Sequence, residues 1–82
     1  MQIMETAAEP LSALTPGSRG RVISFDLPGD SRQRLLEMGL TVGVEFEVIR
    51  YAPLGDPIDI KVRGYHLSLR KKEAAGILVA RL

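Results

Sequence analysis

The sequence contains no cysteine and no tryptophan. Without cysteine the chain forms no disulfide and supplies no thiolate to a metal ion. Secreted domains of this size usually depend on disulfides, so their absence favours the cytoplasm. No apolar run approaches the roughly 20 residues that cross a bilayer, and residues 1–8 lack the basic start and apolar stretch of a secretory signal. These absences together predict a soluble, cytoplasmic protein.

The chain also has little net charge and few aromatic residues. Eleven Lys and Arg residues against ten Asp and Glu residues give a formal net charge of +1, and the aromatic residues are two Tyr and two Phe. Proteins that bind nucleic acid usually present a clearly basic surface, and small barrels that bind single strands stack bases on exposed aromatic rings. A small-barrel nucleic-acid-binding module is therefore the weaker alternative, and a protein partner is favoured.

Residues suited to catalysis or metal binding are equally scarce. The only histidine, His66, has no serine or acidic partner at a spacing that indicates catalysis, and no glycine-rich segment matches a phosphate-binding loop. A tight metal site needs three or four suitable ligands. The sequence therefore predicts no enzyme activity, no cofactor and no dedicated metal site. With nearby carboxylates, His66 is expected to bind a divalent metal ion only weakly.

The chain is long enough for one domain. Residues 1–9 show no clear period and are predicted to form a flexible tail before a domain over residues 10–82. Five short segments have the alternation or composition of half-buried strands, and in the first of them Ile23, Phe25 and Leu27 are the expected buried side. The five segments are residues 21–27, 44–48, 58–63, 65–70 and 77–82. Short strands separated by turns predict a small all-β barrel or sandwich, and closure into a barrel removes exposed edges.

One helix of about two turns is predicted after the first strand, in the segment DSRQRLLEMG. Asp30 is the expected N-cap, with Gln33 completing a capping box. Gly39 is expected at the left-handed C′ position that follows the helix. Leu40 then contacts Leu35, as in a Schellman ending.

Candidate partner-binding residues lie on this helix and near the loop APLGDP. Leu36 and Met38 cannot both point inward from a two-turn helix, so an exposed apolar patch is one interpretation, and burial of Met38 in the core is the other. Prolines stiffen the loop, which either only shapes a turn or forms a binding surface with Tyr51 and Leu54. The predicted partner-binding residues are Arg34, Leu36, Met38, Tyr51 and Leu54.

Basic residues form a second candidate surface. They are Arg32, Arg34, Arg70, Lys71 and Lys72. They either face solvent, as charged residues of small domains usually do, or meet an acidic surface on a partner.

Much of the chain resembles the FeoA family, the small companions of the FeoB ferrous-iron transporter. The segment RQRLLEMGLTVGVEFEVI is similar to the family's signature, with the Met-Gly-Leu triplet at Met38 to Leu40 and a glycine at Gly43. The segments LSALTPGSRGRVISF and APLGDPIDIKVRGYHLSLRKKEAAGILV resemble the family's start and end. The resemblance covers residues 11–80, and Thr41-Val42 departs mildly from a family pattern that often has proline before Gly43.

The resemblance implies an all-β fold, a small five-stranded SH3-like barrel with a short α-helix inserted after the first strand. It also implies a non-enzymatic accessory protein that binds the cytoplasmic part of a FeoB-type transporter at the inner membrane face and supports ferrous-iron uptake. The same fold is found as the C-terminal domain of iron-dependent repressors, so a metal-sensing module is an alternative. This chain shows no helix-turn-helix ahead of the barrel, which favours a free-standing accessory protein.

Overall fold

The computed structural model of the protein describes residues 8–82, which form six strands, two short α-helices and one 3₁₀ turn. The strands are β1 (Glu9–Pro10), β2 (Arg19–Phe25), β3 (Glu45–Tyr51), β4 (Ile58–Val62), β5 (Tyr65–Leu69) and β6 (Ile77–Arg81). The helices are α1 (Gly29–Glu37) and α2 (Lys71–Ala74), and the 3₁₀ turn is Leu11–Ala13. Residues 1–7 of the predicted tail lie outside the described residues. Glu9, the last residue of that predicted tail, lies in β1.

All strands belong to one antiparallel sheet in the order β1-β6-β2-β3-β4-β5. Inward side chains from the five longer strands join a single buried cluster, as shown by Val22, Phe46, Ile60, Leu69 and Val79. One face of a single sheet can line one cluster only if the sheet curves around it. The architecture is the predicted all-β, SH3-like one with the helix α1 inserted after the first long strand. The two-residue strand β1 is an addition to the five predicted strands.

The predicted buried side of the first long strand is partly wrong. Val22 is fully buried, whereas Ile23 is 43% exposed, and Phe25 and Leu27 are only partly buried. The pairing of β2 with β6 shifts between Val22 and Ser24. Such a bulge inserts a residue into one strand and reverses the side chain alternation beyond it. A strict period of two therefore assigned Ile23 to the wrong face.

The predicted end of the helix is confirmed. Gly39 has a φ of +91°, and its N–H donates to the carbonyl oxygen of Leu36 at 3.0 Å. The N–H of Leu40 donates to the carbonyl oxygen of Leu35 at 3.0 Å, and both leucine side chains are fully buried. These are the two hydrogen bonds of a Schellman motif, and the two leucines at its apolar positions both belong to the core cluster.

The predicted start of the helix is wrong. Helix α1 begins at Gly29, and the carbonyl oxygen of Pro28 accepts the first helical hydrogen bond, from the N–H of Arg32 at 3.0 Å. Asp30 therefore lies inside the first turn, where its carboxylate accepts the N–H of Ser31 at 2.9 Å. Gln33 donates forward to Glu37 at 3.1 Å, so no capping box forms. The helix starts two residues earlier than predicted because Pro28 holds an extended conformation that leads directly into it.

Candidate functional site

A buried carboxylate links the two helices. The side chain of Glu73, on α2, is 7% exposed, and its Oε2 accepts a hydrogen bond from the guanidinium of Arg34 on α1. Its Oε1 accepts the backbone N–H of Arg70 at 3.1 Å. An acidic residue at the third helical position reaches back to the residue before the helix because the first turn leaves that N–H without an intrahelical partner. Glu73 thus fixes Arg34 and the start of α2 together.

A groove of about 410 Å³ lies beside this ion pair. Its lining residues are Ser31, Arg34, Arg70, Lys72 and Glu73. Three cations face one carboxylate, and that carboxylate is already bound to Arg34. Arg70 and Lys72 are exposed and form no ion pair with any carboxylate between residues 8 and 82. The groove therefore carries an excess of positive charge.

The loop APLGDP is hydrogen-bonded to α2. Asp56 accepts the backbone N–H of Lys71, the first residue of α2, at 2.9 Å. Within the loop, the N–H of Ala52 donates to the carbonyl oxygen of Pro57 at 3.0 Å. The N–H of Gly55 donates to the carbonyl oxygen of Ala52 at 2.7 Å. These bonds fix the loop and leave Leu54 95% exposed at its tip. Leu54 is thus a large apolar side chain presented on an ordered loop, as interface anchors often are.

Tyr51 is placed differently from the exposed loop residues. It is partly buried against the core, and its hydroxyl donates into the 3₁₀ turn, 3.0 Å from the carbonyl oxygen of Ser12 and close to that of Leu14. Partial burial raises the pKa of the Tyr51 hydroxyl. The hydroxyl thus joins the end of β3 to the turn ahead of β2, a contact that the sequence pattern did not indicate.

The end of α1 forms an apolar edge beside β5. Leu36 is 38% exposed, and Met38 is partly buried against the core. Tyr65 at the start of β5 donates its hydroxyl to the carbonyl oxygen of Met38 at 2.7 Å. A Cβ atom at Gly39 would collide with the same hydroxyl. Leu36 is therefore the predicted apolar residue that α1 leaves available, while Met38 packs mainly inward.

Sequence-predicted residues are only partly brought together. Arg34 lines the groove with Arg70 and Lys72, although 36 residues separate the first two, and α2 connects this groove to the loop of Leu54. Arg32 and Lys71 are exposed but do not line the groove. Glu73 organises the whole arrangement and was missed as a site residue. Its position three residues after the N-cap of a helical turn was the available signal.

A second groove, of about 180 Å³, lies at the other end of the sheet. It is lined by Arg19, Glu45, Phe46, Glu47, Lys61, Arg63 and Gly64. The guanidinium of Arg21 donates a hydrogen bond to the Glu45 carboxylate at 2.8 Å, and this bond lowers the pKa of Glu45. Three cations and two carboxylates nearly balance in this groove, so it has less excess charge than the groove between the helices.

Residues 8–82 contain no group of three or more His, Cys, Asp or Glu side chains placed to hold a metal ion. His66 is exposed on β5, opposite Lys61 on β4, where a neighbouring ammonium disfavours a bound cation. Over the same part of the chain, no helix has the length and apolar character required to span a membrane.

Comparison with known proteins identifies close relatives. The model of the FeoA domain family matches residues 9–81. A fusion of Fe(2+) transport protein A with the Fe(2+) transporter FeoB, from Porphyromonas gingivalis, is 38% identical over 69 residues, which cover 84% of this chain and 8% of the fusion protein. The chain therefore spans only a small part of the curated relative that it matches.

Solved structures share the fold. The FeoA-like protein from Clostridium acetobutylicum superposes with a TM-score of 0.87 at 38% identity, covering 95% of this chain and 91% of that one. A manganese-dependent transcriptional repressor superposes with a TM-score of 0.84 at 22% identity, covering 99% of this chain and 45% of the repressor. At that identity the likeness to the repressor concerns the fold alone.

Proposed function

This chain belongs to the FeoA family, whose domains are accessory to iron transport, and from that premise we propose that it acts by docking on the cytoplasmic part of a FeoB-type ferrous-iron transporter. It does so without catalysing a reaction, at the inner face of the membrane. The observation that carries the proposal is the Porphyromonas gingivalis relative, in which one polypeptide joins a FeoA-type domain to FeoB. Fusion keeps two domains at a high effective concentration, which is useful where they work in contact.

Surface features support a docking role. Leu54 is almost fully exposed on an ordered loop, Leu36 is over a third exposed on α1, and a basic groove lies between α1 and α2. Interfaces commonly combine a few apolar or arginine anchors with a polar rim. We define the docking surface as Arg34, Leu36, Met38 and Leu54 together with this groove. Tyr51 is included for its ring alone, because its hydroxyl is bonded inside the chain.

Nucleic-acid binding is less well supported. Phe46 is buried, Phe25 and Tyr51 pack against the core, and Tyr65 is 39% exposed with its hydroxyl bonded to α1. One exposed ring does not make a stacking platform for single strands. The manganese-dependent repressor shares the fold, yet 22% identity carries no function to this chain.

Co-purification tests the proposal. The chain, tagged and co-expressed with the FeoB-type transporter of its own organism, is expected to retain the transporter after solubilisation in detergent, and deletion of its gene is expected to lower ferrous-iron uptake. A tagged, unrelated SH3-like barrel of similar size is the control for non-specific retention. Failure to retain the transporter, with uptake unchanged after deletion, would overturn the docking function.

A further inference from the structure

We propose that the groove between α1 and α2 receives an acidic segment of the transporter, with carboxylates of that segment bound by Arg70 and Lys72. The inference rests on the proposed docking function and specifies the chemistry of the partner. The starting observation is that the groove gathers cations from two helices while its one carboxylate is occupied by Arg34.

Arg70 and Lys72 are set on a fixed backbone. The N–H of Arg70 donates to Glu73, and the carbonyl oxygen of Arg70 accepts the N–H groups of Glu73 and Ala74 at 2.9 and 3.0 Å. The following residue, Lys71, is bonded to the loop through Asp56. Arg70 and Lys72 therefore extend from a backbone that is held on both sides, and binding orders only their side chains. Preorganisation of this kind reduces the entropic cost of association.

Glu73 has a specific part in this arrangement. Its nearly buried carboxylate neutralises Arg34 inside the groove, and Arg70 and Lys72 at the exposed part form no ion pair with a carboxylate of residues 8–82. An incoming carboxylate therefore replaces water on two cations and breaks no ion pair among residues 8–82. Arginine binds carboxylates in a bidentate manner, and lysine adds a point charge that tolerates variation in position.

An acidic protein segment fits better than nucleic acid. Phosphate backbones need basic residues that continue along a path, whereas the groove at the other end of the sheet has nearly balanced charge, and the chain as a whole carries only +1. No aromatic residue lines the groove between the helices. Its volume of about 410 Å³ is that of a pocket for a small group of side chains. Leu54, on the loop bonded to α2, supplies an apolar contact nearby.

Two charge-matched double variants test the inference. Arg70→Gln/Lys72→Gln removes two positive charges from the groove, and Lys61→Gln/Arg63→Gln removes the same residue types from the other end of the sheet. All four side chains are exposed, so both variants are expected to melt like the parent. Binding to the detergent-solubilised transporter is measured at about 50 and about 200 mM salt, because rim charges act chiefly through salt-dependent attraction. The groove variant is expected to bind at least about tenfold more weakly, with a smaller salt effect, while the control stays within about twofold.

The outcomes separate the two proposals. If the parent does not bind the transporter, the docking function fails, and the inference fails with it. If the parent binds and the groove variant binds equally well, docking stands on another face and the groove inference is overturned. Equal weakening in both variants indicates a general charge effect and also overturns the groove inference.

A measurement on the unmodified chain keeps the inference testable if a variant fails to fold. ¹⁵N-labelled chain is titrated with an octaglutamate peptide and, as the matched neutral probe, an octaglutamine peptide. Amide shifts are expected at Ser31, Arg34, Arg70 and Lys72 with the first peptide only. Equal shifts with both peptides, or none at the groove, contradict the inference. Stronger shifts at the same amides with an oligothymidylate strand overturn it in favour of nucleic acid.

Discussion

Glu73 on α2 accepts a hydrogen bond from the guanidinium of Arg34 on α1, although the two residues are 39 positions apart in the chain. The carboxylate is almost entirely shielded, whereas the arginine side chain is about half exposed. Removal of one partner from such a pair leaves a charge in a poorly solvated place. This relationship gives Arg34, which the sequence predicts only as a partner-binding residue, a part in stability as well.

Glu73→Ala is expected to lower the free energy of unfolding by about 1–3 kcal/mol, because the Arg34 guanidinium and the Arg70 N–H both lose their acceptor. Glu37→Ala is the matched control, since Glu37 is an exposed helical glutamate whose one side-chain bond is to Gln33. Urea unfolding monitored by circular dichroism measures both. A midpoint for Glu73→Ala equal to that of the control would contradict the structural role of the pair. Arg34→Glu is expected to destabilise similarly, because it sets two carboxylates against each other.

Gly39→Val is expected to destabilise the fold by more than about 1 kcal/mol, because a β-branched residue resists a φ of +91°. The collision of its Cβ with the Tyr65 hydroxyl adds to this cost. Gly29→Ala is the control, because nothing lies within 4 Å of a Cβ atom there. Thermal melts should show a lowered midpoint for the first variant and an equal or higher one for the second. An unchanged melt for Gly39→Val would contradict the Schellman ending.

Leu54→Asp is expected to leave stability within about 0.5 kcal/mol of the parent, since the side chain is 95% exposed. It is also expected to reduce retention of the transporter in pull-down and to lower ferrous-iron uptake in cells. Val42→Asp, at a position 62% exposed on a different loop, is the control. Parent-like binding and uptake by the Leu54 variant would place the docking face elsewhere on the barrel.

The isolated chain is expected to have no tight ferrous-iron site, because residues 8–82 hold no group of three suitable ligands and the chain has no cysteine. Anaerobic calorimetry with Fe(II) is the measurement. One-to-one binding well below micromolar concentration would contradict this prediction and support a metal-sensing role.

Acid is expected to weaken the contact between β1 and β6. The guanidinium of Arg81 donates a hydrogen bond to the Glu9 carboxylate at 3.0 Å. This bond lowers the pKa of Glu9 below its ordinary value of 4.5. Because the pKa of Glu9 is lower in the folded state, its ion pair with Arg81 contributes to stability above pH 4.5. This contribution is lost as the pH falls through the pKa of Glu9 in the folded state. An NMR titration of the Glu9 carboxylate in the parent and in Arg81→Gln measures this. The variant is expected to titrate closer to 4.5, and identical titration curves would contradict the contact.

Features determined by neighbours in sequence were predictable. The ending of α1 depends on Leu35, Gly39 and Leu40, which lie within six consecutive residues, and its hydrogen bonds match the prediction. The alternation in β4 is likewise reproduced, with Ile58, Ile60 and Val62 all fully buried. Local hydrogen bonds and strand periodicity require no knowledge of distant residues.

Features that depend on distant residues were not predictable. The bulge that turns Ile23 outward arises from pairing with β6, some fifty residues later. The hydroxyl contact of Tyr51 and the pair of Arg34 with Glu73 each join residues more than thirty positions apart. Strand β1, only two residues long, has no period to detect. Sequence reasoning consequently named Arg34 and Leu54 one by one, without the groove that Arg34 lines.

The pairing of β1 with β6 has a practical consequence for how this domain is tethered. Glu9 lies opposite Val79, so the first and last strands run side by side at one edge of the sheet. A linker joined before β1 and one joined after β6 leave the barrel from neighbouring points. A protein fused at either end therefore starts from almost the same position, and a short peptide connecting the two ends closes the domain into a ring. Circular permutants opened elsewhere should keep the same sheet, which allows a tag or a fused transporter to be moved around the barrel without redesign of its core.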